Sequence, residues 1–127
     1  MSAVLDTSIF VAREQGRELA QQLPDEVAVP VVTLAELELG VLVARDPETR
    51  AVRLATLTRV REQTSGLPAD ERVVSSYARL AAGELEKGRT PRVHDTWIAA
   101  TALAHDSEVW TQDGHFSSFD AVAVIRV

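Results

Sequence analysis

Four carboxylates, Asp6, Glu36, Asp95 and Asp113, sit beside separate apolar segments scattered along the chain. Asp6 follows Ala3-Val4-Leu5, and Glu36 comes just after the run from Val27 to Val32. Asp95 opens an almost wholly apolar helical pattern, and Asp113 follows Val109-Trp110-Thr111. In an open parallel α/β sheet the carboxyl ends of the strands meet at one crevice, where ligands bind. Four acids distant in sequence then share one pocket and repel one another. A hard divalent cation relieves that repulsion. Mg²⁺ and Mn²⁺ prefer carboxylate oxygen and take few direct protein ligands. Such an ion orients phosphates and makes an attacking water more acidic. The chemistry expected is metal-assisted attack of water on a phosphate.

Each acid also has a plainer reading. Thr33-Leu34-Ala35-Glu36 matches a capping box. Asp6 and Asp95 suit helix N-caps, and Asp113-Gly114 is a turn dipeptide. One acid alone favours these readings; four at four element junctions favour a site. Zinc chemistry is poorly supported, because there is no cysteine and His94, His105 and His115 lack ligand spacing. His105 receives no role. Thr7, Ser8 and Thr111 accompany the acids and could hold water or a phosphate oxygen, or be ordinary strand and turn residues. Trp97 and Trp110 have apolar neighbours and read as core.

These side chains need a scaffold of alternating strands and helices. Unbroken apolar runs at 3–5, 27–32, 108–110 and 121–125 predict strands of a parallel sheet covered on both faces. Helical patterns run at about 12–23, 33–45, 48–64, 70–88 and 95–105, with Gly66-Leu67-Pro68 and Gly88-Arg89-Thr90-Pro91 as breakers. The fold expected is an α/β, Rossmann-like three-layer α/β/α sandwich around a mainly parallel sheet, in one domain over residues 1–127.

Bulk composition agrees: 127 residues, 46% apolar and 25% charged, are ordinary for a globular domain. Asp6 interrupts any signal-like N-terminus, and no apolar run approaches the roughly 20 residues that span a bilayer. A cytoplasmic protein without membrane association is expected. The net charge of −6 argues against indiscriminate nucleic-acid binding. Positive charge is concentrated, however. Residues 45–61 carry five arginines against Asp46 and Glu48, a local +3, and Lys87, Arg89 and Arg92 lie in an acid-free stretch up to His94. Arg89 and Arg92 are candidate phosphate contacts, although solvated faces explain both stretches equally well.

Val4-Leu5-Asp6-Thr7-Ser8, Thr33-Leu34-Ala35-Glu36-Leu37, the segment from His94 to Ala102 and Thr111-Gln112-Asp113 together resemble the PIN-domain ribonucleases. More narrowly, they are similar to the VapC toxins of bacterial type II toxin–antitoxin pairs. The most specific piece is Asp95-Thr96-Trp97-Ile98-Ala99-Ala100-Thr101-Ala102. The resemblance runs through nearly the whole chain in order. It implies a metal-dependent endoribonuclease in which Asp6, Glu36, Asp95 and Asp113 form an acidic quartet. Asp6, Asp95 and Asp113 would hold Mg²⁺ (or Mn²⁺), and Glu36 would orient the attacking water or take its proton. It also implies an RNA substrate, a small cognate antitoxin and a homodimer. One departure is His115, where many relatives place a further acid. A neutral imidazole suits a hard cation less well, which puts a second metal in question and suggests phosphate contact instead.

Two other readings remain. A non-catalytic nuclease-like domain would bind RNA or protein only. A phosphoacceptor signalling domain needs a lysine after a late strand, and Lys87, the one lysine, is not so placed.

Overall fold

A computed structural model describes residues 2–127. Strand β1 (Ala3–Leu5) leads into helix α1 (Thr7–Glu14), and β2 (Val27–Pro30) into α2 (Val31–Leu42). Helix α3 (Pro47–Gln63), the short β3 (Gly66–Leu67) and α4 (Glu71–Glu86) follow. Helix α5 (Val93–Ala104), β4 (Glu108–Thr111) and β5 (Val124–Arg126) complete the chain. All strand pairings are parallel, in the order β3-β2-β1-β4-β5. The chain thus winds outward from β1 on one side, then crosses to β4 and winds out on the other. The reversal lies between β1 and β4, whose register pairs Leu5 with Trp110.

Alternation along the central strands divides the core between two faces, as the two-residue strand period requires. Val4 and Val109 pack with Val73 and Leu80 of α4 and Ile98 and Ala102 of α5. Ala3, Leu5 and Trp110 pack with Phe10 of α1, Leu37 of α2 and Leu57 and Val60 of α3. Helices on both faces give the expected three-layer sandwich. Small Ala99, Ala100 and Ala102, all fully buried, let α5 lie close to the sheet.

Several expected boundaries move. The first helix occupies 7–14 rather than 12–23, because Asp6 caps it directly and Gly16, at φ +67°, ends it. Helix α2 begins at Val31, so Thr33 and Glu36 lie inside it and no capping box forms. Helix α5 likewise starts at Val93, which places Asp95 in its first turn and not at its cap. The last strand is displaced to 124–126, and the Asp113-Gly114 turn continues into a 3₁₀ turn (Gly114–Ser118) anchored by fully buried Phe116. The Gly66–Leu67 break is itself strand β3. A Cβ at Gly66 would lie 2.6 Å from Leu34 Cδ1, so glycine allows this edge to approach α2. Trp110 is core, while Trp97 is only half-buried and stacks on Tyr77 at 4.1 Å.

Candidate metal centre

Parallel β1 and β4 end side by side, so the residues that follow them meet at the reversal of strand order. Asp6 is 5% exposed, a costly position for a carboxylate without hydrogen bonds. Its Oδ2 accepts from the Ser8 backbone (3.3 Å), Ser8 Oγ (2.7 Å) and Thr111 Oγ1 (2.8 Å). Among the described residues no donor reaches Oδ1. The two hydroxyls are themselves fixed: Ser8 Oγ accepts from Gln112 N (2.9 Å) and Thr111 Oγ1 from Asp113 N (2.9 Å). Thr7, Ser8 and Thr111 therefore act on carboxylates. Thr7 Oγ1 donates to Glu36 Oε1 at 2.8 Å.

Helix α2 is tied to the end of β1 by buried Thr33, whose Oγ1 donates to the Leu5 carbonyl at 3.1 Å. Three residues on, Glu36 lies on the same helical face and so faces the centre. Its Oε2 lies 3.7 Å from His94 Nδ1. Asp113 caps the 3₁₀ turn through His115 N (2.9 Å) and also pairs with His115 Nδ1. Asp95, Asp113 and His115 bring ligand atoms within 4.8 Å of one another. Burial, Asp6 and Asp113 push the Asp95 carboxyl above its ordinary range, Glu36 adds to this, and Arg92 pulls the other way. The other three acids thus all act on Asp95 electrostatically. Arg92 lies at the α5 N-terminus, whereas the Arg89 side chain turns to Glu84.

The donor set fits a hard divalent cation. It offers carboxylate oxygens, an Asp6 oxygen with no donor among the described residues, and negative charge that nearby arginine only partly offsets. His115 is the single nitrogen among the clustered ligands.

The PIN domain family model matches residues 3–122. The chain belongs to the PIN-domain family. This PIN domain is 46% identical over 127 residues to Ribonuclease VapC5 of Mycobacterium tuberculosis, covering 99% of this chain and 93% of that protein. It is 40% identical over 131 residues to Ribonuclease VapC4 of the same organism, covering 98% and 96%. Among solved structures it is similar to VapBC-5 of M. tuberculosis, a member of the VapBC family of toxin–antitoxin systems. There the TM-score is 0.90 at 44% identity, covering 99% of this chain and 98% of that one. FitAcB from Neisseria gonorrhoeae gives 0.72 at 30% identity, covering 97% and 96%. Within the family the chain is of the VapC type.

Two features of this PIN domain escaped the sequence reading. His94, to which the sequence assigns no role, stands beside Glu36. The hydroxyls had been placed beside the acids, but not as their hydrogen-bond donors. The central one is testable. Thr111→Val keeps the shape but leaves the Asp113 N–H without its acceptor and Asp6 with one donor fewer. A loss of about 1–3 kcal/mol in stability is expected in denaturant melts. An unchanged melt would show that Thr111 does not brace the centre.

Proposed function

We propose that this chain is a metal-dependent endoribonuclease toxin whose catalytic acids are Asp6, Glu36, Asp95 and Asp113. Its support is one observation: Asp95, Asp113 and His115 bring ligand atoms within 4.8 Å of one another, and Asp6, braced at the β1/β4 reversal outside that trio, acts on Asp95 electrostatically. The ribonuclease names of the relatives agree with it. Asp6, Asp95 and Asp113 would hold Mg²⁺ or Mn²⁺, which supplies Lewis-acid charge at the phosphate and a more acidic water. The chain does the rest. Ser8 and Thr111 keep Asp6 in one orientation, so its Oδ1 stays available. Thr7 fixes one Glu36 oxygen and leaves Oε2 to orient the attacking water and take its proton. His115, paired with Asp113 through Nδ1, would as the imidazolium donate its other N–H to a phosphate oxygen. Arg92 lies close enough to Asp95 to balance the arriving negative charge.

The partners belong to the same proposal. They are an RNA substrate, a small cognate antitoxin that blocks the centre, and a second copy of the chain. The solved structure of VapBC-5, a member of the VapBC family of toxin–antitoxin systems, supports the antitoxin. Among the described residues no helix is long and apolar enough to cross a membrane, and a cytoplasmic location is proposed with the rest.

Purified protein with Mg²⁺ or Mn²⁺ is expected to cut single-stranded or looped RNA, and EDTA to abolish the cut. The cognate antitoxin should suppress it in the same assay. RNA left intact in both ions, or cleavage indifferent to EDTA, would overturn the proposal.

A further inference from the structure

Asp6 and Glu84 are the buried charged side chains among the described residues, each 5% exposed, and only Asp6 belongs to the acidic centre. Glu84 lies near the end of α4, where the chain reverses through Gly88 at φ +75°. The reversal returns Arg89 onto it. Arg89 N donates to the Glu84 carbonyl at 2.9 Å, and Arg89 Nε to Glu84 Oε2 at 3.0 Å. The carboxylate side is 7% exposed, but the arginine side chain is 49% exposed.

Stability does not account for this pair. Taking a carboxylate out of water is costly, and an apolar side chain of similar volume serves a core at least as well. What the pair does is fix an arginine. The bond to Glu84 is made through Nε, outside the terminal nitrogens of the planar fork, and that fork matches phosphate geometry. Among the described residues no other acceptor takes the Arg89 side chain. Glu84 and Arg89 line a cleft of ≈ 430 Å³ with Arg92, His115 and Ser118. That volume is within the roughly 300–1,000 Å³ of ligand pockets. His115 belongs both to this cleft and to the acidic centre, so the two are continuous. Nearby charges largely cancel in pairs. Lys87 bonds Asp120 at 2.7 Å, and Arg89 also lowers the Asp120 pKa. Arg92 and the outward face of Arg89 therefore leave the cleft cationic, beside a centre that is anionic.

We propose that Glu84 is a positioning residue that sets Arg89 as a clamp for the RNA phosphate next to the one being cleaved. The assignment rests on the ribonuclease reading. It extends that reading to substrate grip.

The test is kcat and KM on a single-stranded RNA that the wild-type protein cuts, over about 50–200 mM salt. Arg89→Ala is expected to raise KM about five- to tenfold, with a smaller fall in kcat. It should also flatten the logarithmic salt slope by about 0.7, the value for one lost single-strand phosphate contact. Glu84→Leu gives the sharper result. By charge alone, removing a carboxylate near a polyanion lowers KM; loss of the clamp raises it as Arg89→Ala does. Glu84→Gln keeps an acceptor for Nε and should fall between, and the double variant should be no worse than Arg89→Ala. Arg89→Ala and Glu84→Gln carry the test if Glu84→Leu melts early. A KM unchanged or lowered in these variants overturns the clamp while ribonuclease activity stands. Wild-type protein that cuts no RNA removes the ribonuclease reading itself, and the clamp with it.

Discussion

Asp95→Asn is expected to lower the rate of RNA cleavage by about 10²–10³-fold or more, the scale on which one preorganised electrostatic group contributes. The same substitution should make the metal-free protein melt higher. Burial and the charges of Asp6 and Asp113 raise the Asp95 pKa in the folded chain. The folded state therefore holds its proton more tightly than the unfolded state does. Stability from that preference is full below the unfolded pKa, near 3.8, and is lost as pH rises through the folded value. At pH 7 the ionised group is a net penalty, which Asn removes. Mg²⁺ should favour the wild type. At ten times its Kd it stabilises the wild type by about 1.4 kcal/mol, and Asp95→Asn should lose most of that gain. Melts at pH 7 with EDTA and with Mg²⁺, beside cleavage rates, measure both effects. An Asn variant that cleaves normally, or that melts below wild type in EDTA, would remove Asp95 from the centre.

Phe116→Ala carries the largest expected loss of stability. Phe116 is fully buried among Val4, Val109 and Phe119, in the same 3₁₀ turn that Asp113 caps. Truncating a buried Phe costs about 3–5 kcal/mol, on the order of 10–20 °C in Tm for a domain of this size. The turn also carries His115, so the rise in Tm produced by Mg²⁺ should shrink as well. Thermal melts with and without Mg²⁺ test it. A variant that loses less than about 1 kcal/mol would show that the turn does not depend on this ring.

The sandwich was legible because its central strands are short, apolar and non-alternating, which only a doubly covered parallel sheet accommodates. Strand β3 was not, since two residues including Gly66 carry no periodicity and read as a break. Helix starts were the weakest inference. Thr33–Glu36 and Asp95 each offer a cap by local chemistry, but α2 and α5 begin earlier, at Val31 and Val93. Tertiary contacts decide there: Thr33 bonds to β1 and not to its own helix end. The spacing of the acids pointed to one crevice, because strand ends converge by topology. Glu84 stayed hidden for the opposite reason. A glutamate just before Glu86 and Lys87 at the end of a helix looks solvated, and it is the return of the chain through Gly88 that brings Arg89 onto it. The pairing of hydroxyls with carboxylates was equally invisible, since Ser8 and Thr111 become neighbours only through the β1/β4 register.

That neighbourhood has a consequence for the order of events during synthesis. Asp6 is braced by Thr111, 105 residues later, and Ser8 by the backbone of Gln112, 104 residues later. Contacts of such separation form late, because a long loop must close before they can be made. An emerging chain holds Asp6 and Glu36 early, but neither Asp95 nor Asp113. The acidic centre thus comes into being only when translation has passed residue 113; on the function proposed for it, the ribosome making the protein does not face a finished nuclease halfway through the task.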